Sequence, residues 1–260
     1  YEIGSGLVGS EMCIGDRGQD ILFSEERVEL GRNFCNKLWN ASRFRQMSGG
    51  AADNSSIEAI AARIDTSKLD ANDHAILANL RKCSENVARD YESYQFNSIT
   101  QELYAFFWND FCGWYLEVSK ARMADESAKA TALAIQDLCL RQTLLLLHPF
   151  MPFITEEIWQ TLPHNGESIM IAPYPKYDPS LVFEEEEAAV YAIIAAIRAV
   201  RNRRSEMNVP ASRKAHLYIA TAQGALFERG KAFFLKLASA SDVTVIGENE
   251  TVENAVRVVT

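Results

Sequence analysis

Apolar residues recur every three or four positions through five successive segments of this chain, and the first and fourth are closed by residues that a helix does not easily continue through. The first segment runs from about 24 to 47, with Val28, Phe34/Cys35, Leu38/Trp39 and Ser42 at helical spacing. Ser24 and the acids Glu25 and Glu26 suit its start, and Gly49-Gly50 ends it. At the usual rise per residue it is roughly 35 Å long. A short helix is expected at 57–63. A second long helix starts near Asp70, its buried stripe marked by Ile76, Leu77, Leu80, Cys83, Val87 and Tyr91. A third follows Asn97 and carries Ile99, Leu103, Phe106, Phe107, Phe111, Trp114, Tyr115 and Val118. A fourth spans about Asp125 to Leu147, with Leu133, Leu138, Leu140 and Leu144–Leu147, and stops at His148-Pro149 because proline cannot continue the backbone ladder. The fifth, Phe153 to Leu162, opens after Pro152, which a first turn tolerates. Helices with one apolar stripe each must bury those stripes against one another, so the spacing predicts a mainly α fold, an antiparallel helical bundle.

Beyond Leu162 the pattern changes. Residues 163–182 hold four of the seven prolines (Pro163, Pro173, Pro175, Pro179) and read as an extended connector. Glu184–Glu187 open a sixth helix at the end where acids are favoured, Val190, Ile193, Ile194, Ile197 and Val200 form its core face, and Val209-Pro210 ends it. Then the period shortens to two: Ala215–Ala220 and Asp242–Ile246 read as strands, with a helix at 223–238 between them and a last strand at 255–260. The expected organisation is a glycine-rich, disordered leader over 1–18, a helical domain over 19–182, and a linking helix with a small α/β region over 183–260.

The chain lacks the usual signatures of catalysis. It shows no glycine-rich phosphate loop, no Gly-x-Ser-x-Gly elbow and no His-Glu-x-x-His. Five cysteines (Cys13, Cys35, Cys83, Cys112, Cys139) are widely separated, with no Cys-x-x-Cys pair, which predicts reduced thiols and no metal site. Cys112, between Phe111 and Gly113, reads as core filler. No apolar run reaches the length that spans a bilayer, and the start lacks a signal-peptide pattern, so a soluble, cytoplasmic protein without membrane partners is expected.

Binding remains. The formal net charge is −9, yet Gly31–Met47 (GRNFCNKLWNASRFRQM) holds four cations, three asparagines, two phenylalanines and a tryptophan with no acid. Cations neutralise phosphates, amides read base edges and an aromatic ring stacks on an unpaired base, which is the equipment for single-stranded RNA. The face Arg32, Lys37, Asn40, Arg43 and Phe44 has that composition; it also fits an ordinary solvated helix face with Phe44 in the core. A second acid-free stripe, Arg198, Arg201, Arg203 and Arg204, fits a helix C-terminus equally well.

Four blocks carry a family resemblance: FSEERVELGRNFCNKLWNASRF (Phe23–Phe44), YQFNSITQELYAFFWNDFCGWYLEVSK (Tyr94–Lys120), LLLLHPFMPFITEEIWQTL (Leu144–Leu162) and IRAVRNRRSEMNVPASRKA (Ile197–Ala215). In this order they resemble the bacterial valyl-tRNA synthetases, class I enzymes that join valine to its tRNA with ATP. The third block is shared with the isoleucine, leucine and methionine enzymes, and the fourth is the more specific to valine. The resemblance covers about residues 19–260 and implies the anticodon-binding bundle of a class I synthetase plus the start of the region beyond it. The family's catalytic signatures, its editing domain and its terminal coiled-coil arm have no counterpart here. The chain is therefore expected to be inactive by itself, with no cofactor of its own; ATP and Mg belong to the catalytic domain of the parent enzyme. The implied partners are tRNA(Val) and the catalytic domain of the same polypeptide, with a monomer expected.

By that resemblance Arg43 and Phe44 are the first candidates for base contact, with Arg27, Asn33, Lys37 and Asn40 upstream and Arg201 and Arg204 on the tRNA backbone. Trp39 is expected in the core, and Phe107, Trp108, Phe111, Trp114 and Tyr115 in bundle packing. Gly113 stands where the family carries an acid, and a glycine inside a helix costs roughly 1 kcal/mol against alanine. Two other readings fit the residues: the same region of a sister class I synthetase, or a stand-alone helical RNA- or protein-binding module.

Overall fold

The computed structural model describes residues 25–49, 56–175, 184–210, 212–248, 250–252 and 255–259. The leader 1–18, the Ser24 cap, Gly50 and Pro179 lie outside the described residues. Two compact units divide between Phe183 and Glu184.

The first unit is helical. Its elements are α1 (Glu25–Met47), α2 (Ile57–Ala61), α3 (Ala71–Glu92), α4 (Phe96–Tyr104), α5 (Leu116–Arg122), α6 (Glu126–Leu147) and α7 (Pro152–Thr161). Helix α6 packs against each of the other six. That central position explains its sequence: from Thr131 to Leu147 nearly every side chain is buried, and Leu144–Leu147 lie inside on all sides. By length and hydropathy α6 is the one described helix that could cross a membrane, a match that inspection of apolar runs did not anticipate; 83% of its apolar window is buried inside the bundle.

The third predicted helix is one continuous rod from Phe96 to Arg122 whose middle, Ala105–Tyr115, is wound wider as a π-helix. The N–H of Leu116 reaches back five residues to the carbonyl of Phe111. The wider turn alters the account of Gly113. A Cβ there would stand 3.0 Å from the Trp108 carbonyl oxygen, so alanine would meet backbone rather than recover the usual helix propensity. Phe107, Phe111, Trp114 and Tyr115 are buried as expected, whereas Trp108 and Trp39 are only half-buried.

A buried polar cluster ties this rod to α3. Asp70 caps α3, accepting from Asn72 N and Asp73 N, while Asp73 Oδ2 accepts from Asp70 N at 3.1 Å. Tyr115 donates to Asp73 Oδ1 at 2.8 Å, and Arg122 reaches both Asp73 (3.0 Å) and Asp70 (2.8 Å). Asp73 is fully buried. Burial, and then the neighbouring Asp70 carboxylate, push its pKa up to about 6 against the lowering by Tyr115 and Arg122.

The second unit begins with α8 (Glu184–Glu206), followed by β1 (Ala215–Ala220), α9 (Gly224–Arg229), α10 (Lys231–Leu237) and β2 (Ala240–Ile246). Helix α8 stops at Glu206, three residues before the expected Val209-Pro210. The strands pair in parallel, with His216 opposite Asp242 and Tyr218 opposite Thr244. Parallel strands need a crossover, which α9 and α10 supply. The single helix expected at 223–238 is broken at Gly230, where a Cβ would lie 2.8 Å from Ile193 Cδ1 of α8. A side chain at that point would have to displace the Ile193 side chain. Residues 255–259 form no strand, contrary to expectation: their alternating pattern has no neighbouring strand among the described residues, and Val256, Val258 and Val259 are exposed.

Because folding raises the pKa of Asp73, its protonation favours the folded state. That contribution is complete below about pH 4 and is lost as pH rises through about 6. Urea midpoints measured from pH 4 to 7 should show this decline in the native protein and a flatter profile in Asp73→Asn, on a lower baseline.

Candidate nucleic-acid interface

Helix α1 presents two chemically distinct faces. Gly31, Phe34, Leu38, Ala41, Ser42 and Arg45 are buried; Asn33, Asn36, Asn40 and Arg43 are exposed. At about 100° per residue the exposed four fall within an arc of about 80°, on the side of the helix away from the buried set. The stripe therefore displays three amides and a guanidinium with no carboxylate. Asn33, Asn40 and Arg43 have no protein partner among the described residues, so their donors and acceptors face solvent.

The cation beside the stripe behaves in the opposite way. Arg45 is only 6% exposed. Its guanidinium pairs with Asp137 of α6 at 2.7 Å and donates to the Gly49 carbonyl at 2.7 Å. The pair fixes the rotation of the last turn of α1. Gln46 adds a bond from its Nε2 to Thr161 Oγ1 at the end of α7, 2.9 Å. Further up, Phe34 packs among Tyr104 (5.3 Å, stacked), Phe107 (5.8 Å, edge-on) and Trp108 (6.4 Å, stacked). With Phe34 and Arg45 turned inward, the asparagines and Arg43 must turn outward.

The other candidates divide. Phe44 borders the stripe and is half-buried, and the ammonium of Lys120 sits over its ring, 5.5 Å from the centroid. Lys120 also pairs with Glu117 at 2.6 Å. It is a cation on the same surface that the sequence reading passed over, because α5 and α1 meet only in the fold. Lys37 is half-buried, with its ammonium 5.1 Å from the centre of the Trp108 ring. Arg32 is paired with Glu29 at 3.1 Å. Arg27 lies in the first turns of α1, and its side chain is outside the described set.

Arg201 and Arg204 belong to α8, in the second unit. Arg201 is exposed. Arg204 is spent structurally: its guanidinium donates to the carbonyls of Pro210 (3.2 Å) and Arg213, closing the turn between α8 and β1.

The buried cysteines are not placed as nucleophiles. Burial pushes the Cys112 thiol up to about 12 and those of Cys83 and Cys139 well above their ordinary range, so none is a thiolate at neutral pH. Among the described residues no group of His, Cys, Asp and Glu is placed to hold a metal ion.

A solvent-facing strip of amides and a guanidinium on a rigid helix, beside an aromatic ring and a lysine, can meet phosphates and unpaired bases. Comparison with known proteins gives the chain a family, through residues beyond α1. Residues 73–219 match the family model described as the anticodon-binding domain of tRNA ligase, and the chain belongs to that family. Its relatives are specific. It is 44% identical over 204 residues to a valine--tRNA ligase of Geobacillus kaustophilus, covering 78% of this chain and 22% of that protein. It is 40% identical over 247 residues to one from Anoxybacillus flavithermus, covering 93% of this chain and 28% of that protein. The chain thus spans about a quarter of the length of the curated relatives it matches. Among solved structures, LeuRS from a ternary LeuRS–tRNA–LeuAMS complex of Agrobacterium radiobacter aligns over 70% of this chain and 20% of that one, at 19% identity and a TM-score of 0.47.

The two neighbouring arginines of α1 should respond oppositely to substitution. Asp137→Ala leaves Arg45 charged, buried and unpaired and should destabilise the chain by about 3–5 kcal/mol. Arg43→Gln should shift stability by no more than about 0.5 kcal/mol. Chemical denaturation of both variants checks the contrast.

Proposed function

We propose that this chain is the tRNA-binding part of a valine--tRNA ligase and that the exposed asparagine and arginine strip of α1, from Asn33 to Arg43, meets the anticodon loop of tRNA(Val). The observation that carries the reading is the exposed Asn33–Asn36–Asn40–Arg43 strip, held outward by the buried Arg45–Asp137 pair. Arg43 takes a phosphate or a base edge, and the asparagines supply donors and acceptors to unpaired bases. Phe44 offers a ring at the border of the strip, and Lys120 adds charge above it. A base stacking on Phe44 uses the ring face away from Lys120 or displaces that ammonium. Lys37, already over Trp108, acts as a phosphate neutraliser at the flank. Arg27 and Arg201 are further backbone contacts, and Arg204 supports the turn that presents its neighbours.

In this reading the joining of valine to tRNA with ATP and Mg belongs to the catalytic domain of the parent polypeptide. The chain alone is inactive, without cofactor, monomeric and cytoplasmic. The identity to valine enzymes over most of the chain supports valine over the sister amino acids.

Fluorescence anisotropy with a tRNA(Val) transcript and an anticodon-changed transcript, across a salt series, tests the proposal. The cognate transcript should bind more tightly. Phe44→Ala should lose about 1–3 kcal/mol, as for a removed base stack. Arg43→Gln should reduce the salt slope by about one. Equal binding of both transcripts with a steep salt slope would assign the chain to backbone charge alone and overturn anticodon reading by α1.

A further inference from the structure

The second unit has its own solvent-facing surface that the anticodon reading does not use. The β1–β2 sheet buries one face: Leu217, Ile219, Val243 and Val245 pack on a core containing Ile193, Ile197, Phe227 and Phe234. Strand alternation sends His216 and Tyr218 to the opposite face, and both are exposed. There the imidazole of His216 and the phenol of Tyr218 stack, with ring centroids 4.3 Å apart and planes 12° apart. Tyr218 is 44% exposed, a large value for an aromatic ring in a strand. His216 is held in place by Thr244 Oγ1, 2.8 Å from its Nε2, and by the Asp242 carboxylate at 3.7 Å.

Cations gather at the leading end of this face. Arg213 and Lys214, just before β1, are both exposed, and the Arg213 carbonyl is gripped by Arg204 at the end of α8. The Arg204 clamp therefore fixes where the cationic end of β1 begins. Asp242 is the one carboxylate opposite β1, and it sits beside His216 rather than Lys214. An exposed pair of stacked rings with two cations at one end suits an unpaired base and its flanking phosphates. The aliphatic residues of these strands point inward, so the open face has no apolar centre for a protein partner to bury.

We propose that the solvent face of β1, with His216 and Tyr218, is a second RNA-contact surface that stacks an unpaired base on the His216–Tyr218 pair while Lys214 and Arg213, at its leading end, neutralise the flanking phosphates. This rests on the reading that the chain binds tRNA, and it assigns the second unit a direct share in binding. The phenol hydroxyl is not needed for stacking, so phenylalanine replaces tyrosine without loss. Lys214 contributes through charge alone.

The test is one anisotropy titration of the full chain with the tRNA(Val) transcript, comparing the native protein with Tyr218→Ala, Tyr218→Phe, Lys214→Gln and Arg43→Gln. Circular dichroism melts confirm that each variant is folded. Tyr218→Ala should weaken binding about tenfold, within the range measured for loss of one base stack, while Tyr218→Phe binds as the native chain does. Lys214→Gln should lower the salt slope by about one. If Arg43→Gln weakens binding and both Tyr218→Ala and Lys214→Gln leave it unchanged, the sheet face is overturned and the α1 reading stands. If the sheet variants weaken binding and Arg43→Gln does not, the sheet face stands and the α1 reading falls. If the native chain does not bind the transcript at all, both fall.

Discussion

The rotation of α1 about its own axis decides what its exposed face can do, and one buried ion pair sets that rotation. Arg45 cannot leave Asp137 without stranding a charge in the bundle, and its second bond to the Gly49 carbonyl closes the end of the same helix. Phe34, wedged among Tyr104, Phe107 and Trp108, fixes the other half of the helix in the same sense. A helix turned by one residue would bring Phe44 fully inward and expose Arg45. As built, amides and a free guanidinium face water while a second guanidinium, two positions away, holds the structure together.

This arrangement accounts for an acidic protein that belongs to a nucleic-acid-binding family. Net charge sets the distant field, whereas contact depends on the few ångströms around each phosphate. Within the described α1, acids are confined to Glu25, Glu26 and Glu29, before the acid-free stretch, and Glu29 is paired with Arg32. Elsewhere carboxylates do structural work: Asp70 and Asp73 lock the start of α3 to Tyr115 and Arg122, and Asp137 holds Arg45.

The α-helical architecture was legible because periodicity is a local property. The long helices expected in the first unit and the linking helix are present, and Asp70, Asp125 and Pro152 stand at the starts that capping rules assign them. The differences are tertiary. At Gly230 the expected single helix divides where Ile193 of α8 lies close, the rod around Gly113 is wound as a π-helix, and the valines at 255–259 have no strand beside them among the described residues. None of these is visible in a window of neighbouring residues. Of the candidate residues, Arg43, Asn33 and Asn40 share one exposed face; Lys120 comes to the Phe44 ring from another helix, which no local pattern signals; and Arg204 is engaged by carbonyls of its own turn.

By itself the sequence determined that this chain builds a helical bundle followed by a small α/β unit, and that one helix carries cations, amides and aromatics without acids. Those facts depend on spacing and residue type, which act over a few turns. Only the tertiary structure decided which of two nearby arginines faces solvent, that an ammonium covers the Phe44 ring, and that a histidine and a tyrosine stack on the open face of a sheet. Each depends on a side chain brought from a distant element, and burial in the packed core decides which cation is paired and which is left for a ligand.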